Sequence, residues 1–299
     1  MAHPGTQKPW IAVDWGTTRL RAWAMDSDRP LKQRMSDQGM AGLAPHAFEP
    51  ALIALVDDWL ASAGRTLVVA CGMVGARQGW IEAPYVQVPC APFAGDAFTA
   101  APAADARLDV RIIPGLMQAD PADVMRGEET QISGFLSRDP HFEGLLCLPG
   151  THTKWAFVGG GHVTGFTTMM TGEIFALLAE QSVLRHSVGD GWDEAGFEQA
   201  VAAPAPAPGR LFELRAQSLL EGLAPGAARA MLSGRLIASE LDAVEIVDCP
   251  VVVIGSDALA GHYARALELR GCSVSRLDGE EVVLAGLIQA KGAMAEVVR

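Results

Sequence analysis

"VDWGTTRLRAW", residues 13–23, decides how the rest of the chain is read. An apolar strand, Trp10-Ile11-Ala12-Val13, runs into a carboxylate at Asp14, and the chain turns on Gly16. Thr17 and Thr18 follow, then Arg19 and Arg21 on either side of Leu20. Two readings compete. A plain hairpin uses Gly for its turn, tolerates Asp beside it and accommodates Thr in a strand. A phosphate site uses the same residues differently. Backbone N–H groups and hydroxyls receive phosphate oxygens, while the carboxylate offers Mg²⁺ a hard oxygen ligand, directly or through water.

After Gly16, Leu20, Ala22 and Ala24 alternate with Arg21, Trp23 and Met25, which predicts a second strand pairing back on the first. In "FEPALIALVDDWLASAG" (48–64), Leu52, Leu55, Val56, Trp59, Leu60 and Ala63 share a helical face that Gly64 can end. "TLVVA" (66–70) reads as a strand opening into a Gly-rich loop, "CGMVGARQGW" (71–80). Residues 91–111, rich in Ala, Pro and Asp, read as a surface connection, and 122–136 as a helix with acids inside it. The opening logic then recurs in "GLLCLPGTHTKWAFVGGGHVTGFTT" (144–168). A strand (145–148) meets a Gly150-Thr151 tip and returns as a strand (155–158), and a third strand (163–168) follows the glycine turn.

Beyond it, 202–209 reads as a Pro/Ala hinge or surface loop. Residues 211–241 read as helix, 250–256 as a buried strand ending in Gly255-Ser256, 257–270 as helix, 273–276 as strand and 281–291 as a final helix. Strands and helices alternate throughout, so the class is α/β. Two domains are expected, 1–140 and 141–299, with the boundary near 138–144 and the two Gly-Thr tips facing across a cleft.

Composition narrows the function. The 299 residues are 49% hydrophobic and 19% charged, which suits a globular chain. No apolar run is long enough to cross a membrane, and the N-terminus lacks the pattern of a signal peptide. Five scattered cysteines, none in CxxC spacing, argue against a disulfide framework or zinc site and suit a reducing cytoplasm. A net charge of −12 disfavours nucleic acid and anionic membrane as partners. It also requires local positive charge wherever an anionic substrate binds. The P-loop, the dinucleotide fingerprint and the G-x-S-x-G elbow are absent.

"DWGTTRLR" resembles the first phosphate motif of the actin–hexokinase–sugar kinase superfamily, whose domains are ribonuclease H-like. "RGEETQISG" resembles the stretch that carries the catalytic acid in glycerol- and xylulose-type kinases. "LPGTHTKW" stands where their second phosphate motif does, "VVVIGSDALAGHY" resembles their adenosine motif, and "VLAGLIQA" their closing helix. More narrowly, "DWGTTRLRAW", "GMVGARQGWIEAPY", "RGEETQ", "LPGTHTKW" and "MTGEIFALL", in that order, resemble the 2-dehydro-3-deoxygalactonokinase family. Two departures from the superfamily stand out: the usual catalytic Asp is Glu, and the Gly after the second Gly-Thr is His152.

The resemblance implies two actin-like domains around an interdomain cleft. The first would bind the sugar acid and phosphate, the second ATP. It also implies ATP–Mg²⁺ as phosphoryl donor and the 6-hydroxyl of a 2-keto-3-deoxy sugar acid as acceptor. The alternatives are a kinase for another small sugar acid, such as 2-keto-3-deoxygluconate, or an actin-like ATPase with no small-molecule acceptor. Asp14 would position Mg²⁺, Gly16, Thr17 and Thr18 would cradle phosphate from one side, and Gly150, Thr151 and Thr153 from the other. Glu128 would be the base, with Glu129 as the alternative. Gly255 and Ser256 would let adenine and ribose approach the backbone. The substrate's carboxylate calls for a cation, for which Arg19, Arg21 and Arg77, the last beside Gln78, are the candidates. Lys154 could help neutralise phosphate.

Overall fold

The structure, a computed structural model, describes residues 9–93, 97–204, 208–244, 246 and 249–297. The chain divides into two compact units. The first runs through Phe142 and takes in Gly159–Gly165 and the chain from Glu280 onward; the second comprises Glu143–Val158 and Phe166–Gly279.

In the first unit, β1 (Trp10–Trp15), β2 (Leu20–Asp26) and β3 (Arg29–Ser36) form an antiparallel meander. The helix α1 (Phe48–Val56) leads to β4 (Thr66–Gly72), which lies parallel to β1. After β5 (Tyr85–Gln87), β6 (Thr99–Ala100) and β7 (Leu108–Ile112) complete a six-stranded sheet in the order β3-β2-β1-β4-β7-β6. A small second sheet, β5-β8-β9, uses β8 (Gly115–Ala119) and β9 (Ala122–Met125). Beyond it comes α2 (Glu128–Leu136).

The second sheet system repeats the scheme. Here β10 (Gly144–Leu148) and β11 (Thr153–Gly159) pair antiparallel. After β12 (His162–Met169) come α3 (Thr171–Gln181), α4 (Glu194–Ala202), α5 (Glu213–Leu220) and α6 (Pro225–Ala243). Next, β13 (Val251–Gly255) pairs parallel with β10, and β14 (Val274–Asp278), reached through α7 (Asp257–Leu269), pairs parallel with β13. The sheet order is β12-β11-β10-β13-β14. The last helix, α8 (Gly279–Val297), follows.

Burial explains why the strands read as apolar runs. Ile11, Val13 and Trp15 face a core shared with Phe48, Leu52 and Val56 of α1. Trp10, Ala12, Trp23 and Met25 face the other way, onto Val283, Leu287 and Ala290 of α8. A sheet covered on both faces buries both alternating sets. This packing puts α8 with the first unit, although it lies inside the stretch expected to form the second domain. The second unit has its own core, built from Leu145, Cys147, Trp155, Phe197, Ile237, Val251, Val253 and Leu267, among others.

Three expectations change. Residues 91–111 are not all surface connection: β7 lies in them, with Leu108 and Val110 buried. The helix expected over 122–136 is strand β9 and then α2, broken at Gly127, whose φ of 105° takes the chain out of helical space. The helix expected over 211–241 is split into α5 and α6 by Gly222, at φ 71°, and by Pro225 at the start of α6. The Pro/Ala stretch 202–209 lies partly outside the described residues; Pro208–Phe212 is a short 3₁₀ turn. No described helix is long and apolar enough to cross a membrane.

The two helices behind the first sheet cross at glycine. A Cβ on Gly134 of α2 would lie 1.9 Å from Val282 O, and one on Gly286 of α8 would lie 1.9 Å from Thr130 O. Both clashes are with backbone, which cannot swing aside, so the crossing holds α2 at a fixed depth. Gly286→Ala is therefore expected to destabilise the protein by about 1–3 kcal/mol, the usual range for overpacking. The check is denaturant unfolding beside Gly292→Ala, a helical glycine with nothing within 4 Å, which should cost nothing comparable.

Candidate active site

Asp14 ends β1 half-buried, in register with Arg21 across the hairpin and Cys71 on the parallel neighbour. Arg21 donates to Asp14 Oδ2 from Nε at 3.1 Å and from Nη2 at 2.5 Å. Its Nη1 donates to Glu280 Oε2 at 3.1 Å, and Gln33 donates to the other oxygen of Glu280 at 2.5 Å. Burial alone would pull the Arg21 pKa down, but the two acids outweigh it and push it up. Asp14 Oδ1 lies 3.7 Å from Cys71 Sγ. Burial, then the nearby Asp14 and Glu129, push this thiol's pKa well up. The tip itself closes with a hydrogen bond from Gly16 N–H to Arg19 O at 2.8 Å and presents Thr17 and Thr18 exposed.

Two glycines bring a second segment to this tip. Gly72, at the end of β4, has φ 88°, and a Cβ there would stand 2.7 Å from Trp15 O and 3.5 Å from Asp14 Oδ1. A Cβ on Gly127 would stand 3.4 Å from the Gly72 Cα. Directly after Gly127, Glu128 and Glu129 open α2, where acids suit the helix's positive end. Both reach back to the backbone: Arg126 N–H donates to Glu128 Oε2 at 3.1 Å and Gly127 N–H to Glu129 Oε2 at 2.6 Å. Glu128 is half-buried, whereas Glu129 is wholly buried and accepts Thr130 Oγ1–H at 3.0 Å. Burial, and then the Glu128 charge, push the Glu129 pKa up to about 8, against the pull of its backbone hydrogen bonds and Arg126.

In the second unit, Gly150 is half-buried and Thr151 exposed at the tip. The start of α3 rests on it: Glu173 N–H donates to Thr151 O at 2.9 Å, and a Cβ on Gly172 would lie 2.3 Å from Gly150 O. His152 Nε2 meets Glu173 Oε2 at 2.7 Å. Thr153, expected at the phosphates, is wholly buried, its hydroxyl 2.8 Å from Tyr263 OH. Tyr263 OH donates to Glu240 Oε2 at 2.9 Å, and Trp155 Nε1 to Glu240 Oε1 at 2.7 Å. Thr171 is also hydrogen-bonded to Glu240, whose pKa burial raises. Thr153 thus anchors the second tip to α6 and α7, and the exposed hydroxyl is that of Thr151.

Gly255 is half-buried and Ser256 exposed before α7, and a Cβ on Gly255 would lie 3.6 Å from Pro149 Cδ, so this turn stands beside the second tip. Lys154 is buried and donates to Thr168 Oγ1 at 2.7 Å. Next to the tip opens a cavity of about 240 Å³ lined by Gly150, Thr171, Phe175, Trp192, Arg229, Ser233, His262 and Tyr263, among others. Its walls offer flat surfaces: Trp192 stacks on His262 at 3.9 Å, and the Arg229 guanidinium lies 5.2 Å from the Phe175 centroid. Burial lowers the His262 pKa against the opposing pull of Glu194, which favours the neutral ring.

The structure thus brings together Asp14, Arg21, Glu128 and Glu129 in the first unit, and Gly150, Thr151, Gly255 and Ser256 in the second. Arg19, Arg77 and Gln78 are exposed, and Arg77 pairs loosely with Glu82 at 3.6 Å. The sequence reading did not reach the cavity-lining side chains, which come from four separated segments with no shared motif. In "MTGEIFALL", Gly172 has a role that only the fold shows, close backbone contact with Gly150.

Two units with one strand order, each carrying a Gly-Thr tip between its first two strands, define an actin-like fold of the ATPase and sugar-kinase type. The chain belongs to the 2-keto-3-deoxy-galactonokinase family, whose profile matches residues 14–290. It is 40% identical to a protein of Rhizobium meliloti (strain 1021) named "Probable 2-dehydro-3-deoxygalactonokinase", over 95% of this chain and 97% of that one. It is 34% identical to the 2-dehydro-3-deoxygalactonokinase of Escherichia coli (strain K12), over 96% and 98% of the two chains. A solved structure of a "putative 2-dehydro-3-deoxygalactonokinase protein" from Sinorhizobium meliloti is similar at 40% identity and a TM-score of 0.87, covering 95% of this chain and 96% of that one.

The buried acid gives a test of the geometry. A carboxyl whose pKa rises on folding holds a proton that the unfolded chain has released, so stability falls as pH climbs from the unfolded value towards about 8. Glu128, Arg126 and the Cys71 thiol are the groups around it. Glu129→Gln keeps the acceptor oxygen and cannot ionise. Relative to wild type it should gain melting temperature at pH 8, and the gap should close towards pH 5. A gap independent of pH would show that Glu129 does not titrate in this window.

Proposed function

We propose that the chain is an ATP-dependent kinase that transfers the γ-phosphoryl group to the 6-hydroxyl of 2-dehydro-3-deoxy-D-galactonate. The observation that carries this reading is the meeting of the Asp14 tip with the acid-bearing start of α2 across Gly72 and Gly127. It is supported by near full-length likeness to proteins named as kinases of this acid.

On this reading Glu128, half-buried at the helix start, accepts the proton of the 6-hydroxyl as its oxygen bonds to the γ-phosphorus. The bond from that phosphorus to the β–γ bridging oxygen breaks, and ADP leaves. Glu129, enclosed and proton-bearing, sets the helix start against the Asp14 tip. The backbone and hydroxyls of Gly16, Thr17 and Thr18, and of Gly150 and Thr151, receive phosphate oxygens. The flat-walled cavity beside the second tip suits adenine, with Gly255 and Ser256 against the ribose.

Mg²⁺ suits the donor set. The described residues contain no cluster of three or more His, Cys, Asp or Glu able to hold a metal. Mg²⁺ with a nucleotide needs only one or two carboxylates, its other ligands being phosphates and water. Asp14 would supply Oδ1, since Arg21 occupies Oδ2. When bound, the ion neutralises charge on the transferred group. The five described cysteines are all free, which supports a reducing compartment, the cytoplasm.

An acceptor panel with coupled ADP detection tests the reading. ADP release should require the keto sugar acid, with 2-keto-3-deoxygalactonate preferred over 2-keto-3-deoxygluconate, the aldonates and glycerol. ADP release without any acceptor would sink it. Within the site, Asp14→Asn should lower activity by on the order of a hundredfold or more with the fold retained. Glu128→Gln should lower kcat by roughly 10² to 10⁴ while ATP binding barely changes, and Glu129→Gln should be much milder. The reverse order for the two glutamates would make Glu129 the base.

A further inference from the structure

The carboxylate of the proposed substrate needs a cation, and the three arginines singled out by sequence are poorly placed to supply it. Arg21 is committed to two acids. Arg19 and Arg77 are exposed, where a pair with a carboxylate is worth little. Arg126 differs. It stands between β9 and Gly127, two residues before Glu128, and is 8% exposed. Its Nη2 donates to Ala83 O at 2.7 Å, and its guanidinium lies 4.3 Å from the Tyr85 ring centroid. Its Nε and Nη1 are buried and have no hydrogen-bond partner. A Cβ on Gly75 would lie 2.9 Å from Nη1, so this nitrogen lies against bare backbone.

A buried cation with unmet N–H groups is costly in a folded chain. In a protein of net charge −12, with two acids directly after it, such a residue is not short of anions by composition. Glu129 feels its charge, yet its Nε and Nη1 remain without a hydrogen bond. Resting on the kinase reading above, we propose that Arg126 is the residue that receives the carboxylate of the sugar acid and so selects acids over neutral sugars. The unmet N–H groups match a carboxylate, whose oxygens accept several hydrogen bonds at once. Both nitrogens are covered in the free chain. The 73–84 loop, which carries the exposed Arg77 and Gln78 and contributes Ala83 O, therefore has to shift when the acid arrives.

The test compares 2-keto-3-deoxygalactonate with its C1 amide, which keeps the skeleton and loses the charge. Arg126→Met should lower kcat/KM for the acid by on the order of 10²-fold, the effect of a lost charge-assisted pair, mainly through KM. It should change kcat/KM for the amide less than about threefold. The rise in melting temperature that the acid gives wild type should vanish in the variant, while that given by ATP persists. Equal losses for acid and amide would make Arg126 a structural or base-positioning residue and overturn the proposal, as would normal acid binding by the variant. Should Arg126→Met fail to fold, Arg126→Lys carries the same comparison, with an acid-specific loss of about tenfold expected and an equal loss overturning the proposal. Wild type that neither phosphorylates nor is stabilised by the acid would defeat the kinase reading itself, and this assignment with it.

Discussion

Arg21 holds two carboxylates at once, Asp14 at the end of β1 and Glu280 at the start of α8, and the acid-rich end of the first unit depends on it. Asp14, Glu128 and Glu129 are brought close by backbone geometry alone, through the glycines at 72 and 127. Carboxylates gathered this way repel one another and resist burial. The guanidinium offsets one of them with two donors at Oδ2 and fixes its orientation, leaving Oδ1 beside the Cys71 thiol. It also ties the hairpin to α8, the helix that covers the Trp10 and Trp23 face of the sheet. A lysine could supply the charge but not three directed hydrogen bonds in one plane.

The second tip is stabilised by different means. Its anchor is the buried Glu240, which collects hydrogen bonds from Trp155, Tyr263 and Thr171, with Thr153 linked through Tyr263. A buried carboxylate is tolerable only when its oxygens are satisfied, and here the donors come from β11, α7 and the start of α3. One side chain therefore sets the position of the tip, of α3 and of two residues lining the cavity. Two tips that look alike in sequence are held in place by unrelated interactions, an ion pair in one unit and a neutral-donor network in the other.

This difference marks what the sequence could and could not show. Both hairpins were legible because a strand, a Gly-Thr tip and a returning strand are local patterns. The α/β class followed from alternation, and the two-unit actin-like fold from the order of the motifs. The strand β7 was hidden because five residues in an Ala-, Pro- and Asp-rich stretch carry too short an alternation to read. The strand β9 was absorbed into a helix because nothing local announces that Gly127 takes a positive φ. Thr153 looked like its neighbour Thr151 because strand alternation does not say which hydroxyl a distant Tyr263 will claim. The cavity was out of reach, since its walls come from segments as far apart as Gly150 and Tyr263.

The paired glutamates show why adjacent identical residues need not share a task. Successive helical residues point about 100° apart, so one of two neighbours at a helix start can face inward while the other does not. Glu129 faces in, against Cys71 and Thr130, where burial holds it protonated near neutral pH. In that state it can donate as well as accept, and it adds no negative charge beside Glu128. Glu128 is only half-buried, which leaves its carboxylate open to a substrate hydroxyl. On the proposed reading the buried acid therefore helps the exposed one. By staying neutral it puts no second negative charge beside the base, and by accepting the Gly127 N–H it holds the helix start where the base must stand.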